Sequence, residues 1–244
     1  MKSYLLKNYL TAFFLLTTAF SFTACEKDVL RGKGEVVSRT RTVGSYDAIN
    51  MGGEFEVYLT QGPAKDIILE GQENVLAELM TTTRNNQLEI KYNKHNVKID
   101  KPVKVYLTTP NLTEVNLSGS NTVRGLTDWQ VNDLKLSSSG SGSINLTLIN
   151  ANNIQSKVSG SGEITLNGIA NKHELDISGS GKLKAYSLTT KISDINISGS
   201  GKAELTVTEQ LIAKISGSGD VYYKGSPGTV NTSISGSGSI HKAD

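Results

Sequence analysis

The tetrapeptide Ser-Gly-Ser-Gly occurs at residues 139–142, 159–162, 178–181, 198–201, 216–219 and 235–238, and a relaxed copy, Ser118-Gly119-Ser120-Asn121, precedes them. The first glycine of each copy stands at 119, 140, 160, 179, 199, 217 and 236, in steps of 21, 20, 19, 20, 18 and 19. A period near twenty that varies by one or two residues describes a stack of similar units. The residues around each copy alternate. Leu175, Ile177, Gly179, Gly181 and Leu183 share one parity, as do Val158, Gly160, Gly162, Ile164 and Leu166. Period two is strand geometry, with one parity facing a core and the other facing water. No 3.6-residue pattern interrupts it between residues 131 and 244, so the class is all-β.

A unit of about twenty residues cannot bury its own apolar face, whereas stacked units cover one another. Parallel pairing of successive units winds the chain into a β-solenoid rising about 4.8 Å per turn. The alternation favours a phasing in which both glycines of each copy point inward and both serines outward, giving two columns of hydroxyls. The other phasing makes the tetrapeptide a corner with one glycine at positive φ. The residue after each full copy is Ser143, Glu163, Lys182, Lys202, Asp220 or Ser239. In a register-true stack Glu163 therefore lies beside Lys182, and Lys202 beside Asp220, where opposite charges contribute about 0.2–1 kcal/mol per pair.

Residues 34–117 continue the β character with longer, irregular units, and 118–244 form the regular solenoid. Glu54 to Leu59, Gln87 to Tyr92 and Val103 to Leu107 alternate cleanly, and Glu73 to Thr81 reads as one short helix. The irregular part is expected to cover the apolar start of the stack.

The first 24 residues read as a secretory signal: Lys2 and Lys7, an apolar run from Tyr9 to Phe22, then small residues before Cys25. That run is too short to cross roughly 30 Å of hydrocarbon comfortably. Cys25 is the single cysteine, so the fold contains no internal disulfide. Phe22-Thr23-Ala24-Cys25 resembles a bacterial lipobox, which makes Cys25 the expected lipidation site and residues 25–33 a tether. The alternative is an ordinary signal with an incidental cysteine. The expected location follows the lipid: secreted across the inner membrane and anchored by the N-terminal lipid, at the outer membrane.

The run Arg41-Thr-Val43-Gly-Ser-Tyr46-Asp-Ala-Ile49, then Gly53-Glu-Phe55-Glu-Val57-Tyr-Leu59-Thr-Gln61-Gly62, then Leu88-Glu-Ile90, followed by serial Ser-Gly-Ser-Gly, resembles the auto-transporter adhesin family with a head GIN domain. The resemblance spans roughly residues 34–242. It implies a right-handed parallel β-helix, secreted or lipid-anchored, and supplies no catalytic residues.

The side chains support little chemistry. Net charge is +2 with both signs interspersed, so no electrostatic footprint for nucleic acid is expected. His95, His173 and His241 are isolated in sequence and Cys25 lies in the signal, so no metal site or cofactor is expected. Only Gly219-Asp220 repeats the glycine–aspartate pattern of calcium-loaded solenoids. The glycine-rich segments lead into strands and not into a helix N-terminus, so they are not phosphate loops. Glu174, Asp176, Asp194 and Glu204 are the carboxylates that coils could bring together for hydrolysis, but no long loops wall a cleft around them. The expected function is non-catalytic contact, with a glycan or an envelope protein as ligand. A structural envelope spacer is the alternative and a glycan-active enzyme the third reading. Tyr186, Tyr222, Tyr223 and Trp129 are the aromatics available to a contact face, or else to core and edge packing.

Overall fold

The computed structural model describes residues 29–93 and 96–244. Cys25, the residues 1–24 that the sequence suggests are a signal, and His95 lie outside the described residues. The chain winds as a parallel β-solenoid of about six turns with coils near twenty residues.

Two flanks run the length of the stack. The first is built from Ala48–Gly53, Glu114–Gly119 and Asp133–Gly140, then residues 153–160, 172–179, 192–199 and 210–217, and last Thr229–Gly236, each paired in parallel with the next. The second begins after the tetrapeptide, with Phe55–Gln61, Thr122–Gly125, residues 143–148, 163–168, 182–185 and 202–206, then Asp220–Lys224 and Ser239–Lys242. Between the flanks lies one apolar core. Ile177, Ile197 and Ile215, one register position in three successive coils, are at most 3% exposed.

The tetrapeptide is a corner, which corrects the phasing that the alternation favours. The first glycine of every copy has positive φ, between 98° and 130°. It ends the first flank, and only the second glycine faces the core. In the relaxed copy Asn121 takes that inward place, fully buried, and its Nδ2 donates to the Ser118 carbonyl at 2.9 Å. The corner is itself hydrogen-bonded from coil to coil. The Ser161 N–H donates to the Gly140 carbonyl (2.9 Å), Ser180 to Gly160 (2.9 Å) and Ser200 to Gly179 (2.8 Å). That carbonyl also explains the repetition. A Cβ on Gly179 would stand 2.9 Å from the Gly160 oxygen, and one on Gly199 would stand 2.6 Å from the Gly179 oxygen. A side chain at the first glycine would therefore strain φ and collide with the acceptor that holds the corner together.

The column serines do not form a ladder among themselves. Where their hydroxyls bond within the chain they reach backbone one coil away: Ser118 Oγ donates to the Met51 carbonyl (3.3 Å) and Ser139 Oγ to that of Leu117 (3.2 Å).

Gly53, with φ 146°, stands in register with Gly119 and heads the glycine column. Of the 65 residues between them, 62–113 build the irregular end of the stack. Gln87–Tyr92 pairs on the outer side of Ala48–Gly53, and Val103–Thr109 on the outer side of Phe55–Gln61. Antiparallel strands then close this end: Leu79–Arg84 on the first flank, and Ile67–Gln72 followed by Val36–Arg41 on the second. The expected helix covers only Glu73–Leu76. Leu79, Met80 and Thr81 instead begin the strand Leu79–Arg84, whose run of three β-branched threonines favours it. Arg41 finishes the short helix by donating to the carbonyls of Leu76 and Leu79, both at 2.6 Å.

Candidate binding surface

The outward parity of each flank forms rows along the axis, because every coil repeats the register of the last. On the first flank one row reads Lys135, Gln155, Glu174, Asp194 and the next reads Ser137, Lys157, Asp176, Asn196, Lys214. Three of the four carboxylates singled out in the sequence, Glu174, Asp176 and Asp194, thus share one shallow depression with Lys214. Glu204 lies on the opposite flank, bonded to Lys202 at 2.6 Å. Glu174 accepts from Lys172, and that hydrogen bond holds its carboxyl below the usual range, the opposite of what a general acid needs. Asp176 accepts from Asn196 Nδ2 at 3.1 Å.

The predicted register neighbours are present. Glu163 lies opposite Lys182, and Lys202 opposite Asp220. The ion pairs run differently: Glu163 bonds Lys184 at 2.9 Å, Lys202 bonds Glu204 along its own strand, and Asp220 accepts from Ser239 Oγ. These pairs are partly open to solvent, and each contributes at most about 1 kcal/mol.

Aromatic side chains mark both ends of the second flank. Tyr58 and Tyr106 occupy one register position in adjacent coils and stack, with ring centroids 5.0 Å apart and 16° between planes. Their hydroxyls donate to Glu56 and Glu70, each at 3.1 Å. At the other end Tyr222 stacks on His241 at 5.3 Å, again one coil on one. Lys202 Nζ lies 4.7 Å from the centre of the Tyr222 ring and Lys224 Nζ 5.3 Å from that of Tyr186. Of the four aromatics expected for a contact face, Tyr186 and Tyr222 lie on the outside of the second flank. Tyr223 packs partly buried against the core, and Trp129 is completely buried.

Residue-by-residue reading of the sequence misses the Tyr58–Tyr106 pair, although Val57-Tyr58-Leu59 and Val105-Tyr106-Leu107 are the same triplet. It likewise misses His241, which follows the last tetrapeptide by the same three residues that separate Tyr222 from the one before.

His173 is of another kind. It is fully buried, its Nε2 is 2.9 Å from Ser156 Oγ, and its Nδ1 has no partner among the described residues. Burial lowers its pKa from 6.5 to about 4. It is a neutral core residue. Among the described residues no group of three or more His, Cys, Asp or Glu is disposed to hold a metal ion, and no helix is long and apolar enough to cross a membrane.

The family model described as "Putative auto-transporter adhesin, head GIN domain" matches residues 45–227. The chain belongs to this family. The solved structures that it resembles include a "putative adhesin" of Bacteroides fragilis, 25% identical, with TM-score 0.83 over 88% of this chain and 100% of that one. A "putative lipid binding protein" of Parabacteroides distasonis is 24% identical, with TM-score 0.74 over 88% of this chain and 99% of that one. A "putative adhesin" of Parabacteroides merdae is 20% identical, with TM-score 0.70 over 89% and 100%. The last two show a shared fold. No curated protein matches the chain.

Proposed function

We propose that this GIN-domain protein is a non-catalytic adhesin of the cell envelope, carried on a lipid at Cys25, whose contact surface is the outside of the solenoid. One observation carries the reading: the second flank presents outward side chains in fixed rows, with stacked aromatic rings at both of its ends. Such a surface is pre-organised, so little conformational entropy is lost when a long, repetitive ligand lies along it. Membership of an adhesin-described family supports the same class, as does the name of the B. fragilis relative. The adhesin reading takes a glycan or an envelope protein as ligand, and the carboxylates of the first flank remain structural.

The test is adherence of cells producing the protein to glycan-coated and envelope-extract-coated surfaces. Wild-type cells are expected to adhere saturably, with added soluble protein competing. Cys25→Ala is expected to transfer that competing activity from the membrane fraction to the soluble fraction. Wild-type cells that adhere no better than cells lacking the protein would leave it a structural spacer of the envelope.

A further inference from the structure

The two aromatic ends of the second flank are chemically unequal, and the inequality names a ligand class. At the N-terminal end the hydroxyls of Tyr58 and Tyr106 are bonded to the carboxylates of Glu56 and Glu70, and Lys104 lies in register with both glutamates, so the donors of that end are already engaged. At the C-terminal end, among the described residues, no side chain bonds the hydroxyls of Tyr186 and Tyr222. The cations nearby outnumber the acids. Lys184 and Lys202 are matched by Glu163 and Glu204 and Asp220 is held by Ser239 Oγ, whereas Lys182 and Lys224 have no carboxylate partner among the described residues. Lys224 is held over the Tyr186 ring instead.

A lysine held over a ring keeps its charge unneutralised while losing part of its rotamer freedom in advance. The result is a strip of hydrogen-bond donors, fixed on rigid strands, that runs across the coils containing 182–186, 202–206, 220–224 and 239–242. Neighbouring coils are about 4.8 Å apart along the axis, and Lys182 stands in register with Lys202 on the adjacent strand. Tyr222 and His241 flank them in the next two coils.

Resting on the adhesin reading, we infer that this C-terminal strip of the second flank binds an acidic polysaccharide, its carboxylate or sulfate groups accepting from Lys182, Lys224 and the hydroxyls of Tyr186 and Tyr222. The strip is narrow and linear. The whole chain carries a net charge of only +2, too little for the broad positive field that nucleic acid or an anionic membrane calls for.

Affinity electrophoresis and titration calorimetry of the full-length protein test this, with polygalacturonate and chondroitin sulfate as acidic probes and dextran as the neutral one. Both acidic probes are expected to bind, more weakly as salt is raised, and dextran is not. The double substitution Lys182→Ala, Lys224→Ala should weaken binding about tenfold, the loss of two exposed charge contacts, while Lys135→Ala on the first flank leaves it unchanged. Equal affinity for dextran, an unaffected double variant, or tighter binding of single-stranded DNA or anionic vesicles would each overturn the inference. Saturable adherence that ignores the two lysines would end this assignment and leave the adhesin reading standing; absence of all adherence would end both.

Discussion

Each coil turns twice, and the two bends are built on different principles. The Ser-Gly-Ser-Gly corner is the same in coil after coil. Eight glycines from Gly53 to Gly236 stand in one unbroken register, all at positive φ. The opposite bend is solved anew each time. It uses Asn150 at φ 51° in one coil, Gly168 at φ 108° in the next and Gly225 at φ 97° further on. The register slips there too, between Leu148 and Ala151, between Thr165 and Gly168, and between Ala185 and Thr189. The steps of 18 to 21 residues between copies are absorbed at this second bend. One bend keeps the flanks aligned, and the other tolerates insertion and deletion. The rows of outward side chains are therefore set by the glycine corner.

The largest effect that could break this comparison is at the corner. Gly179→Val places a β-branched residue at φ 111°, with its Cβ 2.9 Å from the Gly160 carbonyl oxygen and 3.3 Å from the Gly160 nitrogen. Neither backbone atom can swing away as a side chain would. Positive φ costs about 1–2 kcal/mol and overpacking about 1–3, so a loss of about 4 kcal/mol is expected in denaturant unfolding. Because Gly179 is exposed, a neutral result would mean that the corner is loose and that the strands alone keep the register.

A somewhat smaller effect tests the core beside the second bend, where the buried polar residues Ser156, His173, Thr190 and Ser193 gather. His173 titrates at about 4 when folded, against an ordinary 6.5. The folded-state value is the lower one, so the unfolded chain binds the proton more readily. Stability from this residue is complete above pH 6.5 and is lost as the pH falls toward 4. The drop corresponds to roughly 3 kcal/mol. Urea midpoints measured across that window should fall for the native protein and fall less for His173→Leu. Parallel curves for the two would remove His173 as the cause and leave the second-bend side as dry in character as the corner.

What the sequence revealed follows the same division. Where the chain repeats, spacing alone gives the solenoid, its coil length, and the opposition of Glu163 to Lys182 and of Lys202 to Asp220. Alternation could not distinguish corner from strand, because glycine has no side chain to mark its face; the sign of φ at Gly179 is decided by the carbonyl of the coil below. Gly53 escaped as head of the column because its serine is replaced by Gly52 and its next register mate is 66 residues away. The same gap concealed the Tyr58–Tyr106 stack. Trp129 was open to either role by type, and only its place beside Leu148 in the second bend makes it core.

The smallest expected effect lies at the bend that varies. Asn150 is exposed, at φ 51°, in the left-handed region that asparagine tolerates better than most residues. Asn150→Gly should leave stability within roughly 0.5 kcal/mol, since glycine accepts that backbone and only its extra unfolded-state freedom opposes it. Asn150→Ala should cost about 1 kcal/mol, the ordinary penalty for an alanine at positive φ. The contrast with Gly179 lies in what surrounds the Cβ. At the corner the added atoms meet the backbone of the next coil, whereas at position 150 the residue already carries a side chain and the register already slips. If Asn150→Ala proved as damaging as Gly179→Val, length variation would have to be accommodated elsewhere, and both bends would share the work of aligning the rows.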